Sequence, residues 1–162
     1  MKLGIIADSH DRLPTLRRAV ATFKRLKVDA IFHAGDFVAP FAAKIIAADQ
    51  LGDIPLYCCY GNNDGERAGL KAVLPGVVDG PVDVTLAGRR IVMHHFIDWL
   101  KPAQYAGADV VITGHTHAVV NETKGGTLFL NPGECCGWLT DRCTVALLDL
   151  DPLGAQIIEV HE

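Results

Sequence analysis

The chain has 162 residues, 49% hydrophobic and 21% charged, the size and composition of one globular domain that buries its own core. Fifteen Lys and Arg against nineteen Asp and Glu give a net charge of −4, which argues against a large basic surface for nucleic acid or anionic membrane. No apolar run reaches the ~18–20 residues of a spanning helix. The opening Met1–Ala7 meets Asp8 too soon to be a signal-peptide core and reads as a first strand. The five cysteines stand as Cys58-Cys59, Cys135-Cys136 and Cys143, without C-x-x-C spacing, so reduced thiols in a cytoplasmic protein are expected.

Strand Leu3–Ala7 is followed by Leu13, Leu16, Val20 and Phe23 at three- and four-residue spacing, an amphipathic helix with Asp11 as its expected N-cap. Ala30–Ala34 is a second strand, 41–49 a helix closed by Gly52, and Ile54–Tyr60 a third strand. This β-α-β-α-β order predicts a mainly parallel sheet. Val82–Leu86 and Arg90–Met93 flank Ala87-Gly88-Arg89 as a hairpin, and Asp98–Tyr105 is a short helix made irregular by Pro102. Further strands are expected over Asp109–Thr113, Val119–Glu122, Thr127–Leu130, Thr144–Leu150 and Gln156–Val160. One domain over residues 1–162, with two packed sheets and helices outside, follows.

Chemistry collects where strands end. Asp8-Ser9-His10 follows the first, Gly35-Asp36 the second, Gly61-Asn62-Asn63-Asp64 the third, His94-His95 the hairpin, and Gly114-His115-Thr116-His117 a later one. Ligands of α/β sheets bind beyond the carboxyl ends of strands. Imidazole, carboxylate and amide donors suit divalent metal, and an i, i+2 pair on an extended end aims both side chains one way. Each piece alone has a plain reading, since D-x-H fits a helix cap and Gly-Asp or Gly-Asn-Asn-Asp-Gly fits a turn. Five successive strand ends that all offer ligands do not read as turns. Asp8, His10, Asp36, Asn62, His94, His115 and His117 make seven ligands, too many for one tetrahedral ion with an open position, and suited to two ions sharing a carboxylate.

The ordered set D-x-H, G-D, G-N-x-D, H and G-H-x-H, from Asp8 to His117, resembles the calcineurin-like metallophosphoesterase superfamily. With the Asn131-Pro132-Gly133 turn and Glu134-Cys135-Cys136-Gly137 after it, the chain looks closest to its small YfcE-type phosphodiesterases. The resemblance implies an α/β fold: a four-layer α/β/β/α sandwich of two mixed sheets flanked by helices. It implies a first metal on Asp8, His10, Asp36 and His117 and a second on Asp36, Asn62, His94 and His115, with Asp36 bridging. Mn²⁺ heads the candidates, with Ni²⁺, Zn²⁺ and Fe²⁺ compatible. Two departures stand out: Asn63 occupies a place the family often gives to His, and His94 is followed by His95 where Gly is usual. His94 is taken as the ligand because it directly follows the strand; a shift of register would substitute His95.

The activity implied is hydrolysis of a small phosphodiester by a metal-bridging hydroxide. Asn63 is expected to donate a hydrogen bond to the phosphate but no proton, which predicts a preference for good leaving groups unless His95 or His33 supplies one. His33 reads better as a buried partner of the site. Asp64 is expected to orient Asn63 or a ligand, and Cys135 and Cys136 to pack. Arg67 is the candidate substrate contact. With Arg12 the other nearby cation, a singly charged diester fits better than a monoester dianion, unless Arg89 and Arg90 fold over the site. Alternatives are a phosphomonoesterase or cyclic-nucleotide phosphodiesterase with the same centre, or a protein-binding scaffold like the superfamily's retromer subunit. The complete ligand set argues against the scaffold. A homo-oligomer is left open.

Overall fold

The computed structural model describes residues 1–160; His161 lies outside them. In chain order the strands are β1 (Lys2–Ile6), β2 (Ala30–His33), β3 (Leu56–Cys58), β4 (Val82–Leu86) and β5 (Arg89–Met93). Then come β6 (Val110–Ile112), β7 (Val119–Lys124), β8 (Thr127–Pro132), β9 (Thr144–Leu150) and β10 (Leu153–Glu159). They form two mixed five-stranded sheets, ordered β10-β9-β1-β2-β3 and β4-β5-β6-β8-β7. β1, β2 and β3 run parallel, with Ile6 opposite His33 and His33 opposite Cys58. β5, β6 and β8 are likewise parallel, with Met93 opposite Ile112 and Ile112 opposite Leu130.

Three apolar layers separate the four layers of backbone. Leu16, Ala19 and Phe23 of helix α1 (Leu13–Leu26) pack with Ile6 and Ile31 on the outer face of the first sheet. The sheets meet across Leu3, Ile5, Phe32, Ile91, Met93 and Ile112. Val92 and Val111 of the second sheet lie under Leu100, Ile97 and Tyr105. Gly4 sets the approach of α1 to β1, because a Cβ there would stand 2.5 Å from Cδ2 of Phe23.

The ends of α1 explain its length. Lys27 closes it in the left-handed conformation, its N–H bonded to the carbonyls of Phe23 and Lys24. The N-cap is Arg12 rather than Asp11. Asp11 itself has a positive φ and turns its carboxylate to the N–H of Ala39, 3.0 Å away.

The segment 41–49 is not one helix. α2 (Pro40–Ala43) passes through a 3-10 turn, Lys44–Ile46, and extended Ala47 breaks the run before α3 (Ala48–Leu51). A short helix α4 (Arg67–Val73), unmarked in the sequence reading, follows the third strand end. Ala87 and Gly88, both with positive φ, make the two-residue turn of the β4–β5 hairpin. Asp98–Tyr105 divides into a 3-10 turn, Ile97–Trp99, and α5 (Pro102–Tyr105), with Pro102 in the first turn where no N–H is needed.

Candidate metal centre

Asp8, His10, Asp36 and Asn62 follow β1, β2 and β3, while His95, His115 and His117 follow β5 and β6. The centre therefore spans the C-terminal ends of the parallel strands of both sheets. Asp8, His10, Asp36, His115 and His117 all have positive φ, between 37° and 67°. Non-glycine residues seldom adopt that conformation, and its concentration at candidate ligands marks loops held in place by their surroundings.

Hydrogen bonds hold them. Both carboxylate oxygens of Asp8 accept from the N–H of His115, at 3.2 and 3.0 Å, which ties the two sheets together. The N–H groups of Ser9 and His10 donate to the carbonyl of Asp36, each at 3.1 Å. Buried Asp64 takes the N–H groups of Asp36 (2.9 Å), Gly61 (2.7 Å) and Val38 (2.8 Å), so it orients backbone rather than the Asn63 side chain. Gly61 is required by proximity: a Cβ there would lie 2.1 Å from Oδ1 of Asp36.

Oδ2 of Asp36 lies 3.4 Å from Nε2 of His10 and 3.4 Å from Nε2 of His95. Asp8 Oδ1 stands 3.8 Å from Nε2 of His10 and 3.6 Å from Nε2 of His117. Oδ1 of Asn62 meets Nε2 of His95 at 2.9 Å and Nδ1 of His115 at 2.7 Å. Asp8, Asp36 and His95 place donor atoms within 4.8 Å of one another, and so do His10, His117 and Cys136. Among the described residues, His10 Nε2 is the buried side-chain polar atom with no hydrogen-bond partner. An orphaned imidazole nitrogen facing two buried carboxylates fits a cation, since burial without a partner otherwise costs about 1–3 kcal/mol.

Of the two adjacent histidines, the structure brings His95 and not His94 into this cluster. Nδ1 of His95 is 2.7 Å from the carbonyl of Ala34, which fixes the tautomer and turns the Nε2 lone pair toward Asp36 and Asn62. His94 turns away: its Nδ1 accepts from the N–H of His95 at 2.9 Å, and its ring stands against Trp99 and close to Gly80. The physical reason is the alternation of side chains at an extended end, where neighbours face opposite ways. Ala34 engages Nδ1 of His95 and leaves Nε2 to face the cluster.

Asn63 sits on Asp36, donating its backbone N–H to Oδ1 and its side-chain amide to Oδ2, each at 2.8 Å. Burial alone would raise the Asp36 pKa, but His95 and Asn63 together hold it well below the usual carboxylate range. Burial likewise pulls on His10 and His95, yet the facing carboxylates leave both above the ordinary imidazole value. His33 is wholly buried and stacked on Phe37. Burial pushes its pKa down to about 3, with Nε2 3.1 Å from the Ser9 hydroxyl and Nδ1 accepting from Gly35 N–H at 3.2 Å.

The arginines are engaged with groups of the protein. Arg67 pairs with Asp79 and lies over the ring of Tyr60. Arg89 pairs with Asp109 and Arg90 with Asp83, so neither folds over the site. Arg12 bonds the carbonyl of Cys136 at 2.6 Å and covers the ring of Trp138.

The sequence reading assigned no role to Glu134. Wholly buried after β8, it meets Nδ1 of His117 at 2.8 Å and accepts from Cys136 Sγ and the N–H groups of Trp138 and Leu139. Burial works against its ionisation, but the bonds from Cys136, Thr140 and His117 push its pKa down to about 2. The signal available in the sequence was an acidic residue directly after the Asn131-Pro132-Gly133 turn.

Buried carboxylates, imidazoles and an amide, gathered where two parallel strand sets end in a four-layer sandwich, define a metal-dependent hydrolase. The chain belongs to the calcineurin-like phosphoesterase superfamily, whose domain profile matches residues 1–152. It is 38% identical to a phosphodiesterase of Methanocaldococcus jannaschii over 159 residues, covering 93% of this chain and 94% of that protein. Its fold matches that of an archaeal phosphodiesterase with a TM-score of 0.87 and 36% identity, covering 98% and 99% of the two chains. The Escherichia coli phosphoesterase YfcE shares the fold at 20% identity, with a TM-score of 0.73 and 99% and 100% coverage. The protein is accordingly a metallophosphoesterase.

Proposed function

We propose that this metallophosphoesterase is a phosphodiesterase with a dinuclear centre, built in one domain over residues 1–162. Asp8, His10, Asp36 and His117 would hold the first ion and Asp36, Asn62, His95 and His115 the second, His95 taking the place first given to His94. The observation that carries this reading is the position of Asp36, one oxygen of which stands equally far from His10 and His95. When bound, the ions would supply an acidified bridging water as nucleophile and neutralise charge on the phosphoryl oxygens.

The chain's own groups do the rest. Glu134 and Ala34 hold His117 and His95 by their Nδ1 atoms, keeping each Nε2 for metal. The Asn63 amide, beside Asp36, is a donor for a phosphoryl oxygen but carries no proton to a leaving alkoxide. Mn²⁺, Ni²⁺, Zn²⁺ and Fe²⁺ all suit the donors, and the free cysteines suit a reducing cytoplasm. With the nearby arginines engaged, a singly charged diester is the better substrate, in keeping with the phosphodiesterase name of the 38% identical relative.

Metal analysis of the purified protein, with hydrolysis of bis- and mono-p-nitrophenyl phosphate, tests the reading. Two ions per chain, faster turnover of the diester and loss of activity in Asp36→Ala are expected. Comparable monoester turnover would instead favour the phosphomonoesterase.

A further inference from the structure

The metal cluster does not account for the indole beside it. Trp99 is 45% exposed, although it lies four residues after His95. Its ring centroid is 5.3 Å from that of His94, 5.8 Å from His95 and 6.3 Å from His115. Phe96 extends the same surface, 6.2 Å from Trp99 and 4.2 Å from His115. His94 meets Trp99 at 74°, an edge contact that holds the indole and gives a use to the histidine left out of the cluster. The other tryptophan differs: Trp138 is fastened to the carbonyl of His10 and lies under the Arg12 guanidinium.

We propose that Trp99, flanked by Phe96, stacks the base of a nucleoside phosphodiester, making small nucleoside diesters the preferred substrates. The proposal rests on the phosphodiesterase reading and names its substrate class. A planar, half-exposed ring beside groups that would hold a phosphoryl group matches a ligand with a base on one ester arm. A long polynucleotide fits less well, because it needs a stripe of cations along its backbone. This chain carries a net charge of −4, and Arg12 and Arg67 are engaged with groups of the protein.

Two esters sharing one leaving group isolate the effect: thymidine 5′-(p-nitrophenyl) phosphate and methyl p-nitrophenyl phosphate. Replacing Trp99 by Leu should lower the ratio of kcat/KM for the thymidine ester over the methyl ester on the order of tenfold, through KM. Trp99→Phe should restore much of it. A purely structural role for Trp99 lowers both rates together and leaves the ratio unmoved. Because the chain has two tryptophans, Trp138→Phe leaves Trp99 as the single indole. Its fluorescence in the Zn²⁺-loaded protein should be quenched by thymidine 5′-monophosphate and not by methyl phosphate. An unchanged ratio or an unquenched indole overturns the proposal. Failure to hydrolyse either ester would sink the phosphodiesterase reading, and quenching would then decide the stacking by itself.

Discussion

Oε2 of Glu134 lies 2.8 Å from Nδ1 of His117, so a buried carboxylate contributed by one strand end sets the ring orientation of a candidate ligand contributed by another. Such outer partners typically govern metal affinity by roughly 10- to 100-fold. Glu134→Gln should weaken the tighter-bound or the first-site ion by that factor while the far-UV spectrum is retained. Competition against a chromogenic chelator measures it, and unaltered affinity would mean that packing alone orients His117.

The two adjacent histidines should separate by stoichiometry. His95→Ala is expected to bind one ion per chain and to lose diesterase activity. His94→Ala is expected to keep both ions, because its ring lies against Trp99 and its Nδ1 serves a backbone N–H. The reverse pattern in elemental analysis would restore His94 as the ligand.

In the proposed mechanism Asn63, which has no proton to give, restricts the leaving groups. Introducing an imidazole by Asn63→His supplies a proton donor beside Asp36, and general acids contribute about 10²–10⁴-fold. Alkyl esters should gain on the order of 10²-fold while p-nitrophenyl esters gain little. A parallel shift of both on a plot of rate against leaving-group pKa would remove protonation as the limiting factor.

Acid stability should report His33. Its folded pKa of about 3 lies below the ordinary 6.5, so the unfolded chain binds the extra proton between these values. The neutral ring's contribution is complete above pH 6.5 and is lost as pH falls toward 3, by at most about 1.4 kcal/mol per pH unit. His10 and His95 are shifted upward, and their contributions are already complete below 6.5, so they add no slope there. His94 is lowered by burial and adds slope in the same direction. Urea unfolding with chelator present at pH 6.5, 5.5 and 4.5 should therefore show a shallower fall in His33→Asn than in the parent. Equal slopes would show that another group carries the acid sensitivity.

Most of this centre was legible because strand ends, glycines and metal donors recur together in the chain. Asp8, His10, Asp36, Asn62, His115 and His117 come together as expected. The choice between His94 and His95 was not legible, since one residue of register exchanges the two faces of an extended end. The partners that His95 meets and His94 does not, the carbonyl of Ala34 and the amide of Asn62, distinguish them in the fold. Glu134 escaped for a different reason: a carboxylate in an irregular loop has no period, and its burial depends on four loop donors that only the folded chain collects. Likewise Ala47 gives no local warning that 41–49 will break, as its composition favours helix throughout.

The hydrocarbon between the sheets has a consequence for chemistry. Four of the proposed donors are anchored to one sheet and three to the other, and the two ladders of hydrogen bonds are separate. Beneath the Asp8–His115 bonds at the rim, their alignment is gauged by Phe32, Ile91, Met93 and Ile112, a layer with no polar part in the reaction. A slip of 1 Å between reacting groups can cost about 10²-fold in rate. A methyl group missing from that layer would detune the enzyme without touching any ligand, so its catalytic tolerance is set in its driest region.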